Sequence, residues 1–113
     1  MAINDVAPQT VAKLLEKGEA LLIDVREPNE FAAERIEGAL LFPLSTFNPA
    51  ALPVCQCREL IFHCGSGMRS RKALSLCQAA GLDVHNHMAG GLKAWREAGL
   101  PTKFVRPDMP AAL

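Results

Sequence analysis

The chain has 113 residues, 12 Lys+Arg against 12 Asp+Glu, 50% hydrophobic residues and four cysteines, a composition that fits one compact domain and excludes two. Balanced charge gives no general attraction for nucleic acid or an anionic membrane surface, and no apolar run approaches the roughly 20 residues of a membrane-spanning helix. The N-terminus lacks the basic and apolar regions of a secretory signal, so a reducing cytoplasm is the expected compartment.

In chain order, Pro8 suits the first position of a helix with Val11, Leu14 and Leu15 on its apolar face and Gly18 as its stop. Ala20 to Ile23 is a continuous apolar run, the pattern of a strand buried on both faces, and Asp24 closes it. Pro28 opens a second helix to about Arg35, and Ala39 to Phe42 is a second strand. Pro43, Pro49 and Pro53 interrupt regular structure between Phe42 and Arg58. Leu60 to Phe62 is a third strand, closed by His63 and Cys64. A helix follows from about Arg69 to Ala80, and Val84 to Met88 is a fourth strand. The last helix carries Leu92 and Trp95, the latter as a core anchor, and ends at Gly99 before Pro101. Beyond Pro101, with Pro107 and Pro110, the chain reads as an extended strap or a frayed end, giving a domain over 1–103 and a tail over 104–113. Strands alternating with short helices predict an α/β fold, a parallel sheet with helices on both faces.

The cysteines at 55, 57, 64 and 77 form no C-x-x-C knuckles, so neither a disulfide framework nor structural zinc is expected and the thiols should be free for chemistry. Cys77 lies on the core face of its helix and reads as packing. Cys55-Gln56-Cys57 is either a redox pair, a relay partner of Cys64, or plain loop. His85 and His87 share a side if their segment is a strand, a geometry that permits a metal pair but lacks a third ligand, and no metal is expected.

In open α/β sheets ligands bind beyond the carboxyl ends of the strands, which directs attention to Asp24 and to His63-Cys64. After Cys64 comes Gly65-Ser66-Gly67-Met68-Arg69 and then a helix. Backbone N–H groups in such a turn converge on an anion, the helix dipole adds to them, and a thiol at that mouth ionises more readily. No Asp or Glu falls between Glu59 and Asp83, whereas Arg69, Arg71 and Lys72 do. Three cations at a helix start oppose the dipole, so an anion is expected nearby.

Leu22-Ile23-Asp24-Val25-Arg26-Glu27-Pro28-Asn29-Glu30-Phe31, Arg35-Ile36-Glu37-Gly38-Ala39, Cys64 to Ser70, and Gly90-Gly91-Leu92-Lys93-Ala94-Trp95 with Ala98-Gly99-Leu100-Pro101 together resemble a single-domain rhodanese over about residues 2 to 103. The resemblance implies a sulfurtransferase of the thiosulfate type. Cys64 would carry a sulfane sulfur as a persulfide and pass it to cyanide or a thiol, including a protein thiol, with no metal or organic cofactor. It also implies an active-site loop from Cys64 to Arg69, with Asp24 and Arg26 supporting it from behind. The expected substrate-binding set is Gly65, Ser66, Gly67, Met68, Arg69 and Ser70, with Arg69 neutralising a small anionic donor and Ser66 and Ser70 donating hydrogen bonds. Nucleic acid and membrane are not expected partners.

Two alternatives belong to other classes. One is a sulfur-carrier or regulatory module with little turnover alone. The other is a phosphatase or arsenate reductase of related fold, whose His-Cys-x5-Arg signature begins like His63-Cys64 but would place its Arg where this chain has Ser70.

Overall fold

The computed structural model describes residues 2–105. Strands β1 (Asn4–Val6), β2 (Ala20–Asp24), β4 (Leu40–Leu41), β5 (Glu59–His63) and β6 (Asn86–Met88) form one parallel sheet in the order β1-β6-β5-β2-β4. Helices α1 (Pro8–Glu16), α2 (Pro28–Ala33), α3 (Met68–Ala79) and α4 (Gly91–Glu97) connect or follow them. The short strands β3 (Glu34–Arg35) and β7 (Lys103–Phe104) make a separate antiparallel pair.

The apolar runs at 20–23 and 60–62 become the two central strands because neighbours cover both of their faces. Their side chains alternate, and the register Leu22 with Ile61 and Ile23 with Phe62 puts two apolar layers back to back. Leu22 and Ile61 pack with Val11 of α1 and with Leu92 and Trp95 of α4. Ile23 and Phe62 pack with Ala73, Leu74 and Cys77 of α3. Trp95 is the expected anchor: its ring is buried and its Nε1 donates to the Pro101 carbonyl at 2.8 Å.

Three elements depart from the sequence expectation. β1 was not foreseen, because Asn-Asp-Val shows no apolar run; its order comes from pairing with β6, Asp5 opposite His87 and Val6 opposite Met88. The second helix stops at Ala33, two residues early, because Glu34 and Arg35 extend to pair with Phe104 and Lys103. The segment after Pro101 therefore contains a strand, β7 over Lys103–Phe104, while the expectation for Pro107 and Pro110 falls outside the described residues. The proline-interrupted segment contains two short 3-10 turns, Leu44–Thr46 and Pro49–Ala51. Among the described residues, no helix is long and apolar enough to cross a membrane.

Candidate active site

β5 delivers Cys64 to the carboxyl edge of the sheet, where the residue is 1% exposed. Gly65 to Gly67 then turn the chain into α3. Gly67 makes that turn at φ +112°, a left-handed conformation that side chains resist, and aims its N–H at the Cys64 Sγ at 3.0 Å. From the first turn of α3, the Ser70 hydroxyl lies 3.7 Å from the same sulfur. Burial pushes the Cys64 thiol up, but the amides of Ser70, Gly67 and Ser66 and the Ser70 hydroxyl outweigh it and hold the thiol below its ordinary value. Cys77 has only burial and is pushed up to about 11.

Gly91 locks the loop from the other side. A Cβ there would fall on the Cys64 carbonyl oxygen and lie 2.7 Å from the Gly65 carbonyl carbon. With no side chain, the start of α4 comes close enough for the Leu92 N–H to donate to the Cys64 carbonyl at 2.8 Å and the Lys93 N–H to the Gly65 carbonyl at 3.2 Å. The loop carbonyls are thus turned back into α4, leaving the amides to face the sulfur.

Arg69 finds its anion inside the fold. Its Nη1 and Nη2 donate to the two Glu30 carboxylate oxygens at 2.6 and 3.0 Å. The Glu30 hydrogen bonds raise the Arg69 pKa further, and the same pair lowers Glu30 to about 2. Glu30 also accepts from the Glu27 N–H as half of the capping box that starts α2. The acid-free stretch pointed to an anion, but not to one 39 residues earlier.

Asp24 and Arg26 lie behind this pair, both buried. The Asp24 carboxylate accepts from the Arg26 backbone N–H at 2.9 Å, from Nε at 3.0 Å and from Nη2 at 2.8 Å. The remaining guanidinium hydrogens reach the Glu34 carbonyl at 2.6 Å and the Glu30 carbonyl at 3.4 Å, tying off the end of α2. Burial raises the Asp24 carboxyl, and His63 and Arg26 more than reverse it, so it stays ionised far below the usual carboxylate range. Of the two partners Arg26 has the geometry: His63 Nε2 is 3.4 Å from the carboxylate and completes no hydrogen bond.

His87 was not singled out as part of the sulfur site, yet its Nδ1 is 2.9 Å from the Ser70 Oγ and its Nε2 is 2.7 Å from the Asp5 Oδ1. His85 faces away toward Asp83 and Gln78, so the two histidines serve different neighbours. A hollow of about 200 Å³, lined by Asp5, Ser66, Gly67, Met68, Arg71 and His87 among others, opens beside the loop. The exposed Met68 side chain stands at its rim.

The expectation of four free thiols fails at Cys55 and Cys57, which are joined by a disulfide with Cα atoms 5.3 Å apart. They border a larger cleft of about 840 Å³ at the start of β5, with Glu59 and His85. Five strand residues, roughly 16 Å at ~3.3 Å each, separate that edge from Cys64. Sulfur transfer from Cys64 to this pair within one molecule is therefore excluded by distance.

Comparison with known proteins places these features in context. The family description "Rhodanese-like domain" matches residues 7–98. The uncharacterized protein slr1261 of Synechocystis is 42% identical over 97 residues, covering 86% of this chain and 54% of its own length. The probable adenylyltransferase/sulfurtransferase MoeZ of Mycobacterium tuberculosis is 37% identical over 111 residues, covering 94% of this chain and 26% of MoeZ. This chain thus spans about half of the first relative and a quarter of the second. A protein named sulfurtransferase from Allochromatium vinosum is 28% identical and matches nearly end to end, 94% of this chain and 98% of that protein. Among solved structures, the rhodanese-like domain of the Anabaena protein Alr3790 superposes with a TM-score of 0.78 at 23% identity, covering 96% of this chain and 86% of that one.

Proposed function

The chain belongs to the rhodanese-like domain family, and from that premise we propose that it is a sulfurtransferase acting through a Cys64 persulfide. The observation that carries the reading is the Gly67 N–H at 3.0 Å from a thiol set at the mouth of an amide-lined loop. The Cys64 thiolate attacks the sulfane sulfur of thiosulfate or a related donor. A new S–S bond forms at Sγ as the donor's own bond breaks, and sulfite or the equivalent group leaves with the electron pair. Cyanide or a thiolate then attacks the terminal sulfur, and Cys64 departs as the thiolate it was. The cycle balances without a metal or an organic cofactor.

In this reading the loop from Gly65 to Ser70 holds both the donor and the persulfide. Amides fixed by folding need not reorganise as charge shifts between sulfur atoms, which is where preorganised donors have their effect. Arg69 keeps unused guanidinium hydrogens beside Gly65 for an anionic donor, while Glu30 fixes its direction and lowers the net charge it presents. Asp24 and Arg26 support the loop indirectly by holding α2, which carries Glu30. The exposed Met68 at the rim suits the approach of a protein thiol as acceptor, and a reducing cytoplasm suits such acceptors.

Intact mass measurement tests the proposal. Exposure to thiosulfate or another sulfane donor should add one sulfur atom to the wild type, removable by cyanide, and Cys64→Ser should abolish both changes while Cys77→Ser retains them. Full sulfur uptake by Cys64→Ser would remove the assignment.

A further inference from the structure

Four side chains from four parts of the fold stand in line at the sulfur. Cys64 directly follows β5, Ser70 comes from α3, His87 from β6 and Asp5 from β1. The successive separations are 3.7 Å from sulfur to hydroxyl, 2.9 Å from hydroxyl to Nδ1 and 2.7 Å from Nε2 to carboxylate. Ser70 is 0% and His87 2% exposed, whereas Asp5 opens to solvent in the hollow beside the loop. β1 and β6 pair with Asp5 opposite His87, so the backbone itself sets this contact.

The arrangement settles the His87 tautomer. An Asp5 carboxylate accepts only, so Nε2 carries the hydrogen and Nδ1 of the neutral ring presents its lone pair to Ser70. The Ser70 hydroxyl has one hydrogen and two acceptors, His87 Nδ1 and the Gly67 carbonyl at 3.0 Å. Turned toward His87, it leaves an oxygen lone pair for the Cys64 S–H.

We infer that His87, oriented by Asp5, takes up the Cys64 proton through the Ser70 hydroxyl and so prepares the thiolate for sulfur transfer. The Cys64 proton passes to the Ser70 oxygen as the Ser70 proton passes to His87 Nδ1. The products are a thiolate that accepts from Ser70 and an imidazolium that donates to Ser70 through Nδ1 and to Asp5 through Nε2. Charge is conserved: one neutral thiol and one neutral ring become one anion and one cation. Ser70 touches the reacting sulfur, and His87 and Asp5 are positioning residues that act through it. The inference rests on the proposed role of Cys64 as nucleophile.

The charged groups facing this line are Asp5 from β1 and Arg71 and Arg69 from α3. Arg71 lies 3.6 Å from Asp5 and Arg69 is neutralised by Glu30 from α2. His87 is therefore the group placed to gain a proton when Cys64 loses one.

The chain contains no tyrosine, so ultraviolet titration near 240 nm reads thiolate without phenolate interference. In a Cys55→Ser/Cys57→Ser background, with a Cys64→Ser control subtracted, the Cys64 transition should move upward by at least one pH unit in His87→Gln, a tenfold loss of ionisation. Asp5→Asn, an exposed change that spares the fold, should give a smaller shift in the same direction. The reciprocal measurement follows the His87 ring protons by NMR, where Cys64→Ser should lower the pH at which His87 takes up its proton. An unchanged Cys64 transition in His87→Gln and Asp5→Asn, or an unchanged His87 titration in Cys64→Ser, overturns the relay. No sulfur donor is used, so failure here leaves persulfide formation standing, and failure of sulfur uptake leaves the titration result standing.

Discussion

Glu30 and Arg69, 39 residues apart, grip each other through both carboxylate oxygens at 2.6 and 3.0 Å, and that pair joins α2 to the loop around Cys64. Arg69 is thereby a directed cation of reduced net charge rather than a free one.

Releasing it should change substrate preference. Glu30→Gln is expected to lower KM for an anionic sulfane donor several-fold while leaving a neutral donor unaffected, and Arg69→Ala to raise KM for the anionic donor. The pair is about one-third exposed, so the stability lost in Glu30→Gln should be small, about 0.5–1 kcal/mol. Steady-state kinetics with donors of both charges checks the first expectation and urea unfolding the second. Equal KM changes for both donors would mean that charge is not what Glu30 controls.

Acid should weaken the same contact in a defined window. Glu30 sits at about 2 in the folded chain against an ordinary 4.5, so its contribution to stability is complete above pH ~4.5 and is lost as pH falls toward 2. Asp24, lowered further, adds a loss of the same sign. The wild type should therefore lose stability on acidification over this range, and Glu30→Gln should lose less of it. Parallel unfolding curves at pH 5 and pH 3 provide the comparison.

Breaking the buried pair behind the loop should cost far more than breaking the exposed one. Asp24→Ala leaves the Arg26 guanidinium buried without its carboxylate, a loss of about 3–5 kcal/mol. Replacing both residues with apolar side chains should restore much of that stability without restoring the end of α2. Sulfur transfer in the double variant should stay low even where it folds, because Glu30 is then carried on a loosened helix.

Gly91→Ala should be severe for its size. The added carbon has the Cys64 and Gly65 backbone in its way, and φ of +60° is strained for alanine, so a destabilisation of about 2–4 kcal/mol is expected. Gly99→Ala is the control: its φ is also positive, at +75°, but nothing stands within 4 Å of the added carbon. Sulfur uptake should fall in Gly91→Ala and persist in Gly99→Ala.

Much of this was legible in the residues. The central strands were readable because parallel strands buried on both faces are apolar throughout, and Cys64 because a strand end, a glycine turn and a cation cluster coincide. β1 was not, since Asn4-Asp5-Val6 owes its extended form to β6 and carries no pattern of its own. The line from Cys64 to Asp5 was hidden for the same reason: it exists only where β1 and β6 lie side by side. Glu30 stood inside a readable helix start, but its partner came from a different unit of the fold. The disulfide between Cys55 and Cys57 had no signal beyond proximity, which any C-x-C shares.

Reduction of that disulfide should leave Cys64 chemistry intact. A bridge across one intervening residue constrains the unfolded chain little, under about 2 kcal/mol, and it lies at the far edge of the sheet. Sulfur uptake by Cys64 in Cys55→Ser/Cys57→Ser should match the wild type, and a marked loss would show coupling along β5.

On the proposed persulfide role of Cys64, β5 acts as an insulating rod between two sulfur chemistries, that of Cys64 at one end and that of the Cys55–Cys57 disulfide at the other. An atom of sulfur leaving Cys64 can meet a reduced Cys55–Cys57 pair only on another molecule, so any such passage is second order in protein. Dilution would slow it in proportion, while the loading of Cys64 from a small donor would proceed at an undiminished rate per molecule. A cell holding few copies would thus run the two chemistries independently, and crowding copies together is what would connect them.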